Sequence, residues 1–177
     1  MPLALLNSIG GSLSVVGNDT LPDLEGLGAL TGIGGDLRLQ SNTAMTSLSG
    51  LSGVTDIGGD LVLSSNSDLG SLSGLTNVVT VGGSVSVSSN PSLPNFEGIQ
   101  SLEAIDGDFL VSGNSGLEDF CSGRGPTEID GDLRIEDYEG PLDLLCRRAQ
   151  ANGRPRRPLG SREPDLRCVW RKAHSRD

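Results

Sequence analysis

Residues 57–80 read IGGDLVLSSNSDLGSLSGLTNVVT, and the same phrase recurs at intervals of 24 residues through most of a 177-residue chain. Its copies start at Ile9, Ile33, Ile57, Val81, Ile105 and Ile129, on the template I-G-G-D-L-x-L-x-x-N-x-x-L-x-x-L-x-G-L-x-x-L-x-x. A fixed period of this length marks a solenoid: each unit is too short to enclose its own core, so it must stack on its neighbours. Ahead of Ile9, Leu3, Leu6 and Ser8 fall in register with template positions 19, 22 and 24, so the N-terminus reads as half of a further coil.

Asp60-Leu61-Val62-Leu63-Ser64 alternates apolar and polar residues, the mark of a short strand with one face buried. Equivalent strands of successive coils should lie parallel, about 4.8 Å apart. Leu13, Leu37, Leu61, Val85, Phe109 and Leu133 then form one inward column, and Val15, Leu39, Leu63, Val87, Val111 and Ile135 the next. The second half of each unit, as in Ser47–Val54, spaces its apolar residues by three but is rich in Ser and Gly, which helices avoid. Extended or short 3₁₀ segments are expected there. The predicted fold is all-β: a right-handed parallel β-solenoid over residues 1–146, comprising a half coil and six coils.

Composition separates this body from the C-terminal segment. Residues 1–146 hold 3 basic and 20 acidic side chains, whereas residues 147–177 hold 10 basic and 3 acidic ones and are rich in Pro and Arg. The tail is expected to be disordered. The acidic body should repel nucleic acid, which is bound through clustered Lys and Arg. No apolar run approaches the roughly 20 residues of a membrane span, and MPLALLNS lacks the features of a signal peptide. With 3% aromatic residues, the interior must be aliphatic.

Two polar columns carry structural expectations. The third template position is glycine in every copy (Gly11, Gly35, Gly59, Gly83, Gly107, Gly131), and the second admits Asp106 and Asp130, a combination that suggests a turn of positive φ. A phosphate-cradling loop is disfavoured because a strand comes next in the chain, not a helix. Position 10 is Asn18, Asn42, Asn66, Asn90 and Asn114, which predicts an inward asparagine ladder satisfying the backbone at a corner. Asn18-Asp19-Thr20 also matches an N-glycosylation sequon, although a buried ladder residue would be a poor acceptor.

The pattern I-G-G-D-L-x-L-x-x-N followed by L-x-x-L-x-G-L-x-x-L resembles the leucine-rich coils of the receptor L domain, over about residues 3–146. That resemblance implies a ligand-binding module of the kind found in receptor ectodomains and in microbial or algal surface proteins. It also implies a disulfide between Cys121 and Cys146 in the last, irregular coils, worth about 3 kcal/mol; two buried free thiols are the other reading. Cys168 remains unpaired in the tail, and no C-x-x-C suggests zinc. Tyr138, Pro141 and Cys146 break the template in the sixth coil, as a terminal cap would.

Catalytic and metal motifs are absent from the sequence: the single histidine, His174, lies in the tail, and neither G-x-S-x-G nor H-E-x-x-H occurs. Asp36, Asp60, Asp108 and Asp132 align at position 4, but paired acids on a flat face without a cleft read better as solvation of the sheet edge than as a glycosidase pair. A calcium reading fails on spacing. No cofactor is expected.

The outward strand positions vary from coil to coil, unlike the inward ones. They run from Ser12, Ser14 and Val16 in the first coil to Asp132, Arg134 and Glu136 in the sixth. The candidate binding face is Asp36, Arg38, Gln40, Asp60, Val62, Ser64, Ser84, Ser86, Ser88, Asp108, Leu110 and Ser112. The expected function is non-catalytic recognition of an extracellular protein or glycan, at a cell surface or in a secreted protein. The alternatives are a Ser- and Thr-bearing surface that orders water or ice, and a fragment of a larger leucine-rich receptor without activity of its own. An exposed strand edge at the first coil would permit end-to-end self-association.

Overall fold

The computed structural model describes residues 5–118 and 126–138. Each coil contributes two strands. The long ones are β2 (Leu13–Val16), β4 (Leu37–Gln40), β6 (Leu61–Ser64), β8 (Val85–Ser88), β10 (Phe109–Ser112) and β12 (Leu133–Ile135). The short ones, of two residues each, are β1 (Ser8–Ile9), β3 (Gly32–Ile33), β5 (Asp56–Ile57), β7 (Thr80–Val81), β9 (Ala104–Ile105) and β11 (Glu128–Ile129). The even-numbered strands form one six-stranded parallel sheet in chain order, and the odd-numbered strands form another. The protein is an all-β parallel solenoid, and the template register is the pairing register: Leu37 lies beside Leu61 and Leu39 beside Leu63. The short second sheet has no period-2 signature, because two residues are too few to show one.

The two inward columns are buried throughout the middle coils; Leu37, Leu39, Leu63 and Val85 are fully enclosed. On the back, single 3₁₀ turns occupy Glu25–Leu27, Ser49–Leu51 and Ser73–Leu75. Each is closed by a bond from the leucine amide to the carbonyl three residues earlier, as from Leu51 N to Leu48 O at 2.9 Å. A side chain at position 15 also caps each turn: Asp23 Oδ1 accepts from Glu25 N, Ser47 Oγ from Ser49 N and Ser71 Oγ from Ser73 N, at 3.0, 3.1 and 3.1 Å. This explains the Ser-rich back, since short oxygen-bearing side chains satisfy turn amides. Phe96 and Phe109 meet edge to face with centroids 6.0 Å apart, at the template positions that Leu72 and Val85 occupy one coil earlier.

The glycines of positions 2 and 3 do not have positive φ, contrary to the turn inferred from their sequence pattern. What they supply is room. A Cβ on Gly35 would lie 2.6 Å from Ser12 Oγ, and one on Gly59 would overlap Asp36 Oδ1. The positive φ falls instead at position 9, where Gly17, Ser41, Ser65, Ser89, Gly113 and Asp137 have φ between 55° and 70°, and at Gly98 of position 18, with φ of 121°. Position 18 is tighter still: a Cβ on Gly50 or Gly74 would overlap the carbonyl of Leu24 or Leu48 in the preceding coil. No helix among the described residues is long and apolar enough to cross a membrane. Cys121, Cys146, Cys168, His174 and residues 147–177, and with them the expected disulfide and tail, lie outside the described residues.

Candidate functional site

Two polar ladders hold the long sheet and set what its outer face can present. At the first corner, Asn42, Asn66 and Asn90 are fully buried and Asn114 nearly so. Asn66 Oδ1 accepts from the backbone amide of Asn42 at 3.1 Å and from its Nδ2 at 3.3 Å. Asn66 Nδ2 in turn donates back to Leu39 O at 3.0 Å and forward to Asn90 Oδ1 at 3.3 Å. Every carboxamide atom is thus used, and among the described residues no buried side-chain nitrogen or oxygen lacks a partner. Asn18, in the first coil, is exposed, so the burial argument against its sequon does not hold at this position.

The second ladder runs along position 4. Ser12 Oγ accepts from Asp36 N at 2.9 Å, Asp36 Oδ1 from Asp60 N at 3.0 Å and Asp60 Oδ1 from Ser84 N at 2.8 Å. The series continues with Ser84 Oγ from Asp108 N at 3.1 Å and Asp108 Oδ1 from Asp132 N at 2.8 Å. Asp36, Asp60 and Asp108, expected to solvate the edge and form part of the binding face, each use one oxygen to bind the next coil. The glycine column and this ladder are one device: position 3 must lack a Cβ because the oxygen of the preceding position 4 occupies that space. The signal was present in the sequence, since position 4 is always Ser or Asp, the two residue types that cap a nearby amide best.

What remains free is the row of positions 6 and 8. Arg38 and Gln40 are exposed, while Val62, Ser64, Ser86, Ser88, Leu110 and Ser112 are half-buried by their neighbours. Arg38 and Arg134, the two basic side chains among the described residues, both stand at position 6, four coils apart. Each faces the aspartate two residues before it: Arg38 Nη2 lies 3.8 Å from Asp36 Oδ2, and Arg134 Nη2 donates to Asp132 Oδ2 at 2.7 Å. That hydrogen bond, reinforced by the Asp132 charge, raises the Arg134 pKa further above its ordinary value.

Beside Arg134 the face dips into a shallow depression of about 250 Å³ lined by Ser86, Ser88, Leu110, Ser112, Arg134 and Glu136. It extends one coil beyond the predicted patch, taking in Arg134 and Glu136. Its chemistry is that of hydroxyls, one aliphatic side chain, one guanidinium and one carboxylate, with no histidine, cysteine or lysine among the described residues. Such a surface can hydrogen-bond a polar ligand and seat a small apolar group. No protein-family model matches the chain, and no curated protein or solved structure is significantly similar to it.

Proposed function

We propose that the chain is a non-catalytic recognition module that binds a protein or glycan through the outer face of its long sheet. In this reading it is a receptor L domain-like solenoid working at a cell surface or in secreted form. The observation that carries the proposal is a contrast within each coil. Inward columns, both ladders and the glycines repeat because stacking demands it, whereas the side chains of positions 6 and 8 take no part in the hydrogen bonds between coils among the described residues and range over Ser, Val, Leu, Gln, Glu and Arg. Positions with no stacking duty are where a scaffold of this type can place specificity.

The basic and larger apolar side chains of position 6 are Arg38, Val62, Leu110 and Arg134, and of these Leu110 and Arg134 line the depression. Interfaces draw most of their energy from a few such anchors, so these should dominate binding. The test is to probe a mixed array of extracellular proteins and glycans with the full chain and with a variant carrying Arg38→Glu, Val62→Lys and Leu110→Lys. Specific binding that disappears in the variant, with circular dichroism unchanged, is the expected result. A partner bound equally well by both proteins would remove the face from consideration.

A further inference from the structure

We propose that the depression beside Leu110 is a subsite for one neutral sugar ring of a glycan chain, an inference that rests on the recognition function of this face. Its floor belongs to β8 and β10, both interior strands of the long sheet: β8 pairs with β6 and β10, and β10 with β8 and β12. Their backbone groups are consumed by those pairings, so a ligand lying here meets side chains alone. An extended peptide recognised by strand addition needs the opposite, a sheet edge with free amides and carbonyls. The lining residues also include no aromatic side chain, whereas tight protein interfaces draw on Trp and Tyr.

What the depression offers is hydroxyl groups without a structural task. Elsewhere, Ser12 and Ser84 accept from amides of the next coil, Ser47 and Ser71 cap turns, and Ser67 Oγ donates to Thr43 O at 3.2 Å. Ser86, Ser88 and Ser112 are half-buried, yet their hydroxyls bond no group among the described residues. A serine hydroxyl both donates and accepts, which matches it to the hydroxyls of a sugar. Ser88 and Ser112 are paired neighbours on adjacent strands, about 4.8 Å apart, so both can reach hydroxyls of one ring. Leu110 lies beside Ser86 on one side and Arg134 on the other, and supplies an aliphatic surface for the C–H face of a pyranose.

The charged groups decide which sugar. Asp132 Oδ2 holds Arg134 Nη2 at 2.7 Å, which fixes the guanidinium and leaves its other N–H groups to donate. Glu136 lines the same depression, with its carboxylate bonded to no group among the described residues. Donor and acceptor together can bracket a ring that carries several hydroxyls. Three carboxylates, those of Asp132, Asp108 and Glu136, act on this single cation, so the site is net negative and should reject uronates and sialylated or sulfated sugars. At about 250 Å³, against roughly 300–1,000 Å³ for drug-sized pockets, it admits one ring, and its shallowness lets a chain run on at both ends. One ring should bind at about millimolar strength, and longer chains more tightly through the file of Ser64, Ser88 and Ser112.

The test presents the full chain to an array of neutral oligosaccharides, built from glucose, galactose, mannose or N-acetylglucosamine, together with acidic oligosaccharides and extracellular proteins. Neutral oligomers should be retained and acidic ones not. Ser88→Val combined with Ser112→Val, a side chain the outer face already carries at Val62, should lower affinity for the retained oligomer by more than about tenfold. Should that variant lose its circular dichroism, Ser112→Ala decides, with a loss of about threefold or more. Glu136→Gln should narrow the discrimination against acidic oligomers. Retention of a protein and of no neutral glycan, lost on combining Arg38→Glu, Val62→Lys and Leu110→Lys, would overturn the sugar subsite and leave the recognition face standing. A preference for acidic glycans, or a neutral glycan bound equally well without the serine hydroxyls, would also overturn the subsite. Binding that no change on the outer face affects would overturn both.

Discussion

Replacing Gly74 by alanine should unfold the solenoid far more readily than replacing Gly26, although both occupy template position 18 on the same kind of turn. A Cβ on Gly74 would overlap the Leu48 carbonyl and lie 2.7 Å from Leu48 Cβ, where ordinary contacts begin at 3.4 Å. The Cβ contact alone asks two coils to part by about 0.7 Å, and the carbonyl asks for more. Leu48, Leu72 and Leu75 are fully buried at this seam and have no slack to give. Overpacking of a rigid core costs about 1–3 kcal/mol, and backbone overlap belongs at or above the top of that range. Gly26 has nothing within 4 Å of its Cβ position and no positive φ. Alanine there should be neutral or stabilise by about 0.4–1 kcal/mol through the unfolded chain. Urea titrations followed by far-ultraviolet circular dichroism should therefore separate the two variants by about 3–4 kcal/mol. Equal midpoints would refute the assignment of position 18 as the point of closest approach between coils.

Asn66→Ala removes the acceptor for Asn42 N and the donor to Leu39 O inside a sealed corner, and should cost about 3 kcal/mol or more in the same titration, whereas Asn18→Ala, at an exposed position in the first coil, should cost less than about 1. Asp60→Ala strips the acceptor from Ser84 N and should cost about 1 kcal/mol; Asp60→Ser should restore most of it, because Ser12 and Ser84 perform the same task in their own coils. Ser65, with φ of 57°, should gain stability on replacement by glycine and lose about 1–2 kcal/mol on replacement by valine, measured as opposite shifts of the thermal midpoint.

The solenoid was legible because stacking imposes one requirement 24 residues apart, many times over. Leu37, Leu61 and Val85 announce their column by recurrence, and the buried asparagines announce theirs in the same way. Other features were harder to read because distinct physical causes leave the same letter in a sequence. Gly59 and a left-handed glycine look identical on paper, yet Gly59 is required by an oxygen of the preceding coil, while the left-handed backbone was at Ser65, a residue type that does not advertise it. Asp60 looked like surface charge because only coordinates show which of its oxygens reaches Ser84 N. Recurrence identifies residues that serve the stack. A ligand site is by nature the part that does not recur, so Arg134 and Glu136 could be read from the sequence as outward positions, but only the depression beside Leu110 joins them to it in one site.

The most direct test of the recognition face compares two sets of substitutions against one captured partner. The first set is Arg38→Glu, Val62→Lys and Leu110→Lys on the outer face of the long sheet; the second is Asp56→Lys, Thr80→Lys and Glu128→Lys on the outer side of the short sheet. The account predicts that affinity collapses in the first set and stays within about threefold of the parent in the second. Loss confined to the second set, or equal loss in both, would contradict it.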